Sequence, residues 1–142
     1  MSTDPVAEPV PQGEYRPAVL HEGIVYTAGM TPRRGGELVL RGVVGASVSA
    51  QEAYTAAGIA AENALAAVRS VAPGAAAIRC LRMTVYIACA ATFHELSAVA
   101  DGASAALRAA LGDCGLPARA AIGVQSLPSG APLEVDLIAA VR

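Results

Sequence analysis

The most regular feature of the chain is a run in which Ala and Leu recur at every third or fourth position. The run starts at Ser49 and Glu52, which form the S-x-x-E sequence of a capping box, and it stops at Pro73-Gly74. This spacing predicts an amphipathic α-helix. Because the inner face is almost entirely Ala, we expect the helix to pack very close to its partner.

A second helix is predicted directly after residues 77–90, a β-branched, apolar run with the character of a central strand. This helix opens with another capping box, from Thr92 to Glu95, and continues to Leu111, where the glycines that follow end it. Two helices with a buried strand between them therefore form the middle of the chain.

Short strands are predicted on both sides of this middle part. Two β-prone runs, 18–21 and 24–28, are separated by a hairpin-like Glu-Gly turn, and another short strand lies near 38–40. The last two strands, 118–126 and 132–141, are joined by a Leu-Pro-Ser-Gly-Ala turn. The pattern predicts an α+β fold: a six-stranded, mostly antiparallel sheet with two helices packed on one face.

The last two strands carry three charges that core strands usually lack. Alternation places Glu134 and Asp136 opposite the Leu and Val residues of the final strand, and it places Arg119 on the corresponding face of the preceding strand. This second face is either exposed to water or packed against another subunit around a small pocket. In such a pocket an Arg binds a carboxylate and a carboxyl group transfers protons.

The Ala, Gly and Ile residues of this face favour the packed alternative, and Asp136 is interpreted as structural or interfacial. If the two strands form a hairpin, Arg119 pairs near Ala140 and Glu134 near Gln125, so the two charges are on the order of 20 Å apart. Joint action on one small ligand would then require a second subunit.

Composition narrows the possible chemistry. All ten basic residues are Arg, so no Lys can form a Schiff base with a carbonyl substrate or pyridoxal phosphate. The net charge of −2 lacks the basic excess typical of nucleic-acid binding. Hydrophobic residues make up 54% of the chain but aromatic ones only 4%, which favours an oligomer that buries additional surface.

The remaining signals concern metals, membranes and location. The cysteines Cys80, Cys89 and Cys114 have no CxxC spacing and the two histidines lie far apart, so no metal site is expected. No signal peptide or membrane-spanning run is recognised, which predicts a cytoplasmic protein. We expect residues 1–13 to form a flexible tail and residues 14–142 to form one domain.

Three stretches, in the right order, resemble the RidA (YjgF-type) family of reactive-intermediate deaminases. They are YRPAVLHEGIVYTAGM from residue 15, RMTVYIACAATFHELSAV from residue 82 and PARAAIGVQSLPSGAPLEVDLIAAV from residue 117. The last stretch is the most specific, because it combines P-A-R, L-P and an E-x-[DE]-x-I-A strand. The resemblance implies the chorismate-mutase-like fold of this family, a homotrimer formed through the second face of the sheet, and sites in the clefts between subunits.

The resemblance also implies the roles of individual residues. Arg119 would hold a substrate carboxylate through two guanidinium N–H groups, and Glu134 would position or activate water. The implied reaction is hydrolysis, without a cofactor, of an imine that is the tautomer of an enamine such as 2-aminoacrylate, giving a 2-keto acid and ammonia. The implied substrate-binding positions are Tyr15, Ala28, Gly29, Met30, Gly102 and Ala121.

Several positions depart from the family pattern by losing a polar side chain: Ala28, Met30, Ala121 and the Asp101-Gly102 pair, where the family has an Asn. A bulkier or more apolar substrate, belonging to a biosynthetic pathway, fits this change. The alternative is a non-catalytic trimer that binds a small carboxylate as a sensor or as a partner of another enzyme. Retention of both Arg119 and Glu134 favours the enzyme.

Overall fold

The computed structural model describes residues 6–142, and its two helices lie on one face of a mixed sheet. The elements in chain order are β1 (Ala18–His21), β2 (Ile24–Thr27), β3 (Arg33–Arg34), β4 (Glu37–Leu38), α1 (Ala50–Val71), β5 (Ile78–Ala88), α2 (Leu96–Leu111), β6 (Ala118–Val124) and β7 (Leu133–Val141). Of the predicted tail, residues 1–5 lie outside the described residues, and residues 6–13 contain neither helix nor strand. The flexibility of that tail and the domain boundary after it stay predictions.

The main sheet has five strands in the order β1-β2-β7-β5-β6, and β3 and β4 form a separate two-stranded sheet. The α+β class with both helices on one face is confirmed, but the prediction of six strands in one sheet is wrong. The strand expected near 38–40 is only the short β4, which turns back on β3. Gly35 and Gly36, with φ of 60° and 82°, make that tight turn, so the pair closes on itself instead of joining the sheet.

The last two strands do not form the hairpin that the sequence left open. β6 pairs in parallel with β5, and β7 pairs antiparallel with the other edge of β5, so β5 lies between them. The loop between β6 and β7 contains the short turn Pro128–Gly130, in which Ser129 and Gly130 have φ of 61° and 73°, but the loop runs over eight residues, 125–132, and does not join neighbouring strands. β5 is the central strand because its inward residues, Met83, Val85 and Ile87, are fully buried.

The first helix begins as the sequence predicts. The Ser49 hydroxyl accepts a hydrogen bond from the backbone N–H of Glu52 at 3.0 Å, and the Glu52 side chain accepts one from the backbone N–H of Ser49 at 3.0 Å. This reciprocal capping box satisfies two N–H groups that the helix leaves without partners. The small inner face of α1 packs closely: a Cβ on Gly102 of α2 would overlap the backbone carbonyl of Tyr54.

The second helix begins later than predicted, because Thr92 and Glu95 do not form a capping box. Glu95 itself is the N-cap and its side chain makes no capping hydrogen bond. Residues 90–93, which precede it, form other hydrogen bonds: the Ala90 N–H donates to the Val44 carbonyl, and the Phe93 N–H donates to the Ala90 carbonyl. With this segment held by one long-range bond and one local turn, the helix starts only at Leu96.

The sheet separates the molecule into a covered face and an uncovered face. α1 and α2 cover one face, where residues such as Val25, Leu133 and Leu137 are buried. The opposite face, called here the open face, exposes apolar side chains, among them Tyr26 at 49% and Ile122 at 43%. Within the described part of the chain, neither helix has the length and apolarity needed to cross a membrane.

Candidate active site

Glu134 and Asp136 lie on the open face, as alternation along the last strand predicts. In the β5–β7 ladder, Glu134 is opposite Tyr86 and Asp136 is opposite Thr84, whereas Val135 between them is fully buried. Paired residues on neighbouring strands point to the same face of a sheet. These four side chains therefore form one group, called here the acidic cluster, which consists of Glu134, Asp136, Tyr86 and Thr84.

The backbone at Gly29 lies against the carboxyl group of Glu134. A Cβ built on Gly29 would lie 2.5 Å from Cδ and 2.6 Å from Oε1 of Glu134, so a side chain at this position would displace the Glu134 carboxyl group. The next residue holds the segment in place, because Met30 and Val135 exchange two backbone hydrogen bonds of 2.7 and 2.9 Å. The Ala28 N–H donates to the Pro17 carbonyl at 2.8 Å. The structure thus brings the predicted positions Ala28, Gly29 and Met30 to Glu134.

The acidic cluster favours protonation of its carboxyl groups. Burial raises the pKa of Glu134, and the neighbouring charge of Asp136 raises it further. Burial also raises the pKa of Asp136, against the opposing effects of a backbone hydrogen bond from Thr84, the Tyr86 hydroxyl and the charge of Arg82. No ion pair within residues 6–142 includes Glu134. Glu134 therefore keeps its proton to higher pH than an ordinary Glu, as suits a carboxyl group that gains and loses a proton.

Tyr86 links the two strands of this cluster. Its hydroxyl donates to Oδ2 of Asp136 at 3.4 Å, a long hydrogen bond, and the charge of Asp136 is the largest cause that raises the Tyr86 pKa. Tyr86 thus stays a neutral donor to Asp136. Glu134, which lacks such a donor, is the freer of the two carboxyl groups.

Arg119 lies on the covered face, so the prediction that it shares a face with Glu134 is wrong. It is paired with the fully buried Met83 and points towards α2. The sequence predicts that the branched Ile122 points towards the helices, whereas in the structure Ile122 lies on the open face and is 43% exposed. The covered face has little room at this strand, since a Cβ on Gly123 would lie 3.0 Å from the Cys89 sulfur, which follows β5, and 3.7 Å from Cδ1 of Leu96 in α2.

The guanidinium of Arg119 is bound by one face of α2. Nη1 donates to Oδ1 of Asp101 and to Oγ of Ser104, each at 2.8 Å; Nη2 donates to Oγ of Ser97 at 2.8 Å and to its carbonyl at 3.2 Å. The side chain of Arg119 is only 20% exposed, and that of Asp101 is 62% exposed. This group, called here the arginine cluster, consists of Arg119, Ser97, Asp101 and Ser104.

Sequence reasoning missed the partners of Arg119, although a signal was present. Ser97, Asp101 and Ser104 are spaced by four and three residues, so they lie on one face of a helix. A polar row of this kind on a helix that covers a sheet indicates a charged partner on the strand beneath it. The partners of Glu134 were harder to find, because Tyr86 is more than forty residues away and is brought near only by strand pairing.

The two clusters lie apart within one chain. Glu134 is level with Tyr86 and Arg119 with Met83, on strands either side of β5. Three residues along the strands and two strand spacings across them place their Cα atoms roughly 14 Å apart. Their side chains also point to opposite faces. The separation is shorter than the ~20 Å expected for a hairpin, but a single small ligand still cannot contact both groups of one chain.

The remaining predicted positions divide between several places. Ala121 lies on the covered face, two residues from Arg119. Gly102 is buried in the contact between the two helices. Tyr15 lies in the irregular N-terminal segment, half exposed, and its hydroxyl accepts a hydrogen bond of 3.2 Å from the Gln12 N–H. Among residues 6–142, the neighbours found for Gly102 and Tyr15 do not include the acidic cluster.

The fold and the two clusters define a class of small α+β proteins with a charged open sheet face, and comparison with known proteins identifies the family. Residues 6–141 match the family described as endoribonuclease L-PSP. The chain therefore belongs to this family, which is the YjgF/RidA family. The family resemblance inferred from three short stretches is confirmed.

Solved structures agree with this assignment. The protein Atu1372 from Agrobacterium tumefaciens, whose function is unknown, is 33% identical, with 91% of this chain and 82% of that chain covered and a TM-score of 0.87. The TdcF protein of Escherichia coli, solved with bound serine, is 25% identical over 95% of this chain and 93% of its own, with a TM-score of 0.68. The YjgF gene product of E. coli, 21% identical over 99% of both chains, shares the fold with a TM-score of 0.66.

Proposed function

We propose that this protein is a hydrolytic deaminase that converts small enamine or imine intermediates bearing a carboxylate into 2-keto acids and ammonia, without a cofactor. The observation that carries the proposal is the state of Glu134: a half-buried carboxyl group with a raised pKa and no ion-pair partner among residues 6–142, placed against the backbone of Gly29. Such a group is available for proton transfer to and from water and a bound imine.

The chemistry requires little beyond positioning and a proton shuttle. As the oxygen of a water molecule forms a bond to the carbon of the protonated imine, the C=N electron pair moves to nitrogen and the Glu134 carboxylate accepts a proton from that water. Glu134 then returns the proton to nitrogen. The C–N bond breaks, the hydroxyl oxygen forms the carbonyl, and the departing ammonia takes the hydroxyl proton. The products are a 2-keto acid and ammonium.

In this proposal Arg119 holds the substrate carboxylate and the protein acts as a homotrimer. Because a single small ligand cannot contact both clusters of one chain, the Arg119 of one subunit would have to meet the Glu134 of the next. The exposed apolar residues of the open face, such as Tyr26 and Ile122, support burial against another subunit. The serine bound to TdcF is a small ligand that carries a carboxylate. A monomer found by light scattering would contradict this arrangement.

The word endoribonuclease in the family description raises RNA cleavage as a competing activity. The net charge of −2 and the two carboxyl groups of the acidic cluster disfavour an RNA backbone at this site. A non-catalytic protein that binds small carboxylates is the stronger competitor, because Ala28 and Ala121 offer a substrate no polar side chain.

The test measures ammonia and keto-acid release from 2-iminopropanoate and from bulkier imines. We expect turnover by the wild type and a loss of about 10²-fold or more in Glu134→Gln, which removes the proton acceptor. Arg119→Ala should raise KM for carboxylate-bearing imines. Glu37→Gln, which neutralises an exposed carboxylate on β4, is the matched control and should behave as wild type. Absence of turnover by the wild type on every imine, with carboxylate binding intact, would favour the non-catalytic function.

A further inference from the structure

The arginine cluster already contains a carboxylate, and it comes from the protein itself. The two terminal nitrogens of a guanidinium carry four N–H groups. In Arg119 the four hydrogen bonds from these nitrogens go to Asp101, Ser104 and Ser97, and Asp101 is the anionic acceptor among them. A ligand carboxylate that binds through two parallel N–H groups therefore has to replace bonds that are present before it arrives.

We propose that Asp101 is a specificity-determining residue that competes with the ligand's carboxylate for the guanidinium of Arg119. The inference rests on the proposed function, in which Arg119 is the carboxylate-binding residue. Its consequence is a site that binds carboxylate-bearing imines more weakly than Arg119 alone would allow. Imines that lack a carboxylate do not compete with Asp101 and suffer no such disadvantage.

The three partners of Arg119 differ in how they would respond to a ligand. Ser97 and Ser104 are neutral, and a hydroxyl can rotate to donate a hydrogen bond to an incoming carboxylate. Asp101 can only accept hydrogen bonds and repels a second anion beside it. Asp101 is thus the only one of the three that opposes a carboxylate both by occupying the guanidinium and by its charge.

Displacing Asp101 is feasible because it lies at the surface. Its side chain is 62% exposed, so it can move into water when a ligand arrives. Exposed ion pairs change an equilibrium constant by up to about fivefold, and the repulsion between two anions adds to this. We therefore expect Asp101 to weaken carboxylate binding about five- to tenfold without preventing it.

The experiment measures binding of 2-oxobutanoate, a simple keto acid, by calorimetry in low salt. Asp101→Asn should lower the Kd about five- to tenfold relative to wild type, and Asp101→Glu, which keeps the anion, should stay near wild type. The matched control is Asp113→Asn, which removes the same charge from an exposed ion pair with Arg108 at 3.3 Å. The double variant Asp101→Asn with Arg119→Ala should not show the tighter keto-acid binding of Asp101→Asn. Asp101→Ala serves as a second neutral variant if the Asn variant fails to fold.

Equal or weaker keto-acid binding by the neutral variants would overturn the proposal, and so would undetectable binding by every protein. Kinetics separate this outcome from failure of the proposed function. If imines are hydrolysed, Asp101→Asn should lower KM for 2-iminopropanoate several-fold with kcat little changed, and should leave KM for 1-pyrroline, an imine without a carboxylate, as it is. If no imine is hydrolysed while Asp101→Asn still tightens keto-acid binding, the deaminase proposal fails and the competition by Asp101 stands.

Discussion

The acidic cluster and the arginine cluster lie on the same sheet, but the fold treats their charges in opposite ways. Arg119 faces a helix and donates four hydrogen bonds to α2. Glu134 faces away from both helices, has no ion-pair partner among residues 6–142, and has a raised pKa. The difference shows that a half-buried charge near a polar helix becomes part of the packing, whereas one on an uncovered face stays chemically available.

The largest effect is expected where the backbone defines the position of Glu134. Gly29→Ala places a Cβ 2.5 Å from the Glu134 carboxyl carbon, so the carboxyl group must move. We expect kcat/KM for imine hydrolysis to fall about 10²-fold, corresponding to about 3 kcal/mol.

The control for this change is Gly74→Ala, because a Cβ at Gly74 meets nothing within 4 Å. Binding of 2-oxobutanoate should be nearly unchanged in Gly29→Ala, because Arg119 holds the carboxylate of this ligand and the change displaces only the proton-transferring group, Glu134. Full activity in Gly29→Ala would show that the position of Glu134 is not critical.

A large effect on stability is expected at the helix that binds Arg119. Gly102→Ala places a Cβ inside the backbone carbonyl of Tyr54, so α2 must move away from α1. Overpacking of this kind costs about 1–3 kcal/mol in the free energy of unfolding, more than the ~1 kcal/mol that Ala gains over Gly in a helix. Urea denaturation measures the difference, and an unchanged midpoint would contradict the close approach of the helices.

A smaller difference in stability is expected between variants that remove Arg119 and variants that remove Glu134. Arg119→Ala leaves Asp101 and two serines without their donor and should lower the free energy of unfolding by about 1 kcal/mol. Glu134→Gln removes a half-buried charge that has no ion-pair partner in the described part of the chain, so it should leave stability at neutral pH unchanged or raise it. If Glu134→Gln had a lower melting temperature than Arg119→Ala, the contrast between a packed Arg119 and an available Glu134 would be contradicted.

The same reasoning gives a pH dependence. Because the pKa of Glu134 is higher in the folded than in the unfolded protein, folding favours the protonated form. Its contribution to stability is fully present below the unfolded pKa, about 4.3, and is lost as the pH rises through the folded pKa. Glu134→Gln should therefore flatten the decline of stability across this window, which urea titrations at a series of pH values would detect.

The smallest effect concerns the coupling inside the acidic cluster. Asp136→Asn removes the neighbouring charge that raises the pKa of Glu134, while burial remains. The Glu134 carboxylate should then persist to lower pH, and the acidic limb of the kcat/KM profile should shift to lower pH. A shift in the other direction would mean that Asp136 acts on a different group.

The local features of this protein were determined by the sequence. The cap at Ser49, the close packing of the Ala-rich helix and the alternation that puts Glu134 and Asp136 on one face depend on neighbours a few residues away. The family was recognisable for the same reason, because its most specific pattern is contained in the last two strands. These features involve short-range geometry, which a linear pattern records directly.

Tertiary structure decided the strand order and the face on which Arg119 lies. The inward residues of β6 include Ala121 and Gly123, which do not mark this face as apolar in the sequence. Which residues of β6 face the helices therefore depends on how closely the covering segments approach the strand. Pairing of β6 and β7 with opposite edges of β5 likewise depends on burying that strand at the centre of the sheet. Which charge binds a partner and which stays available follows from these long-range contacts, because burial and pairing are properties of the packed sheet.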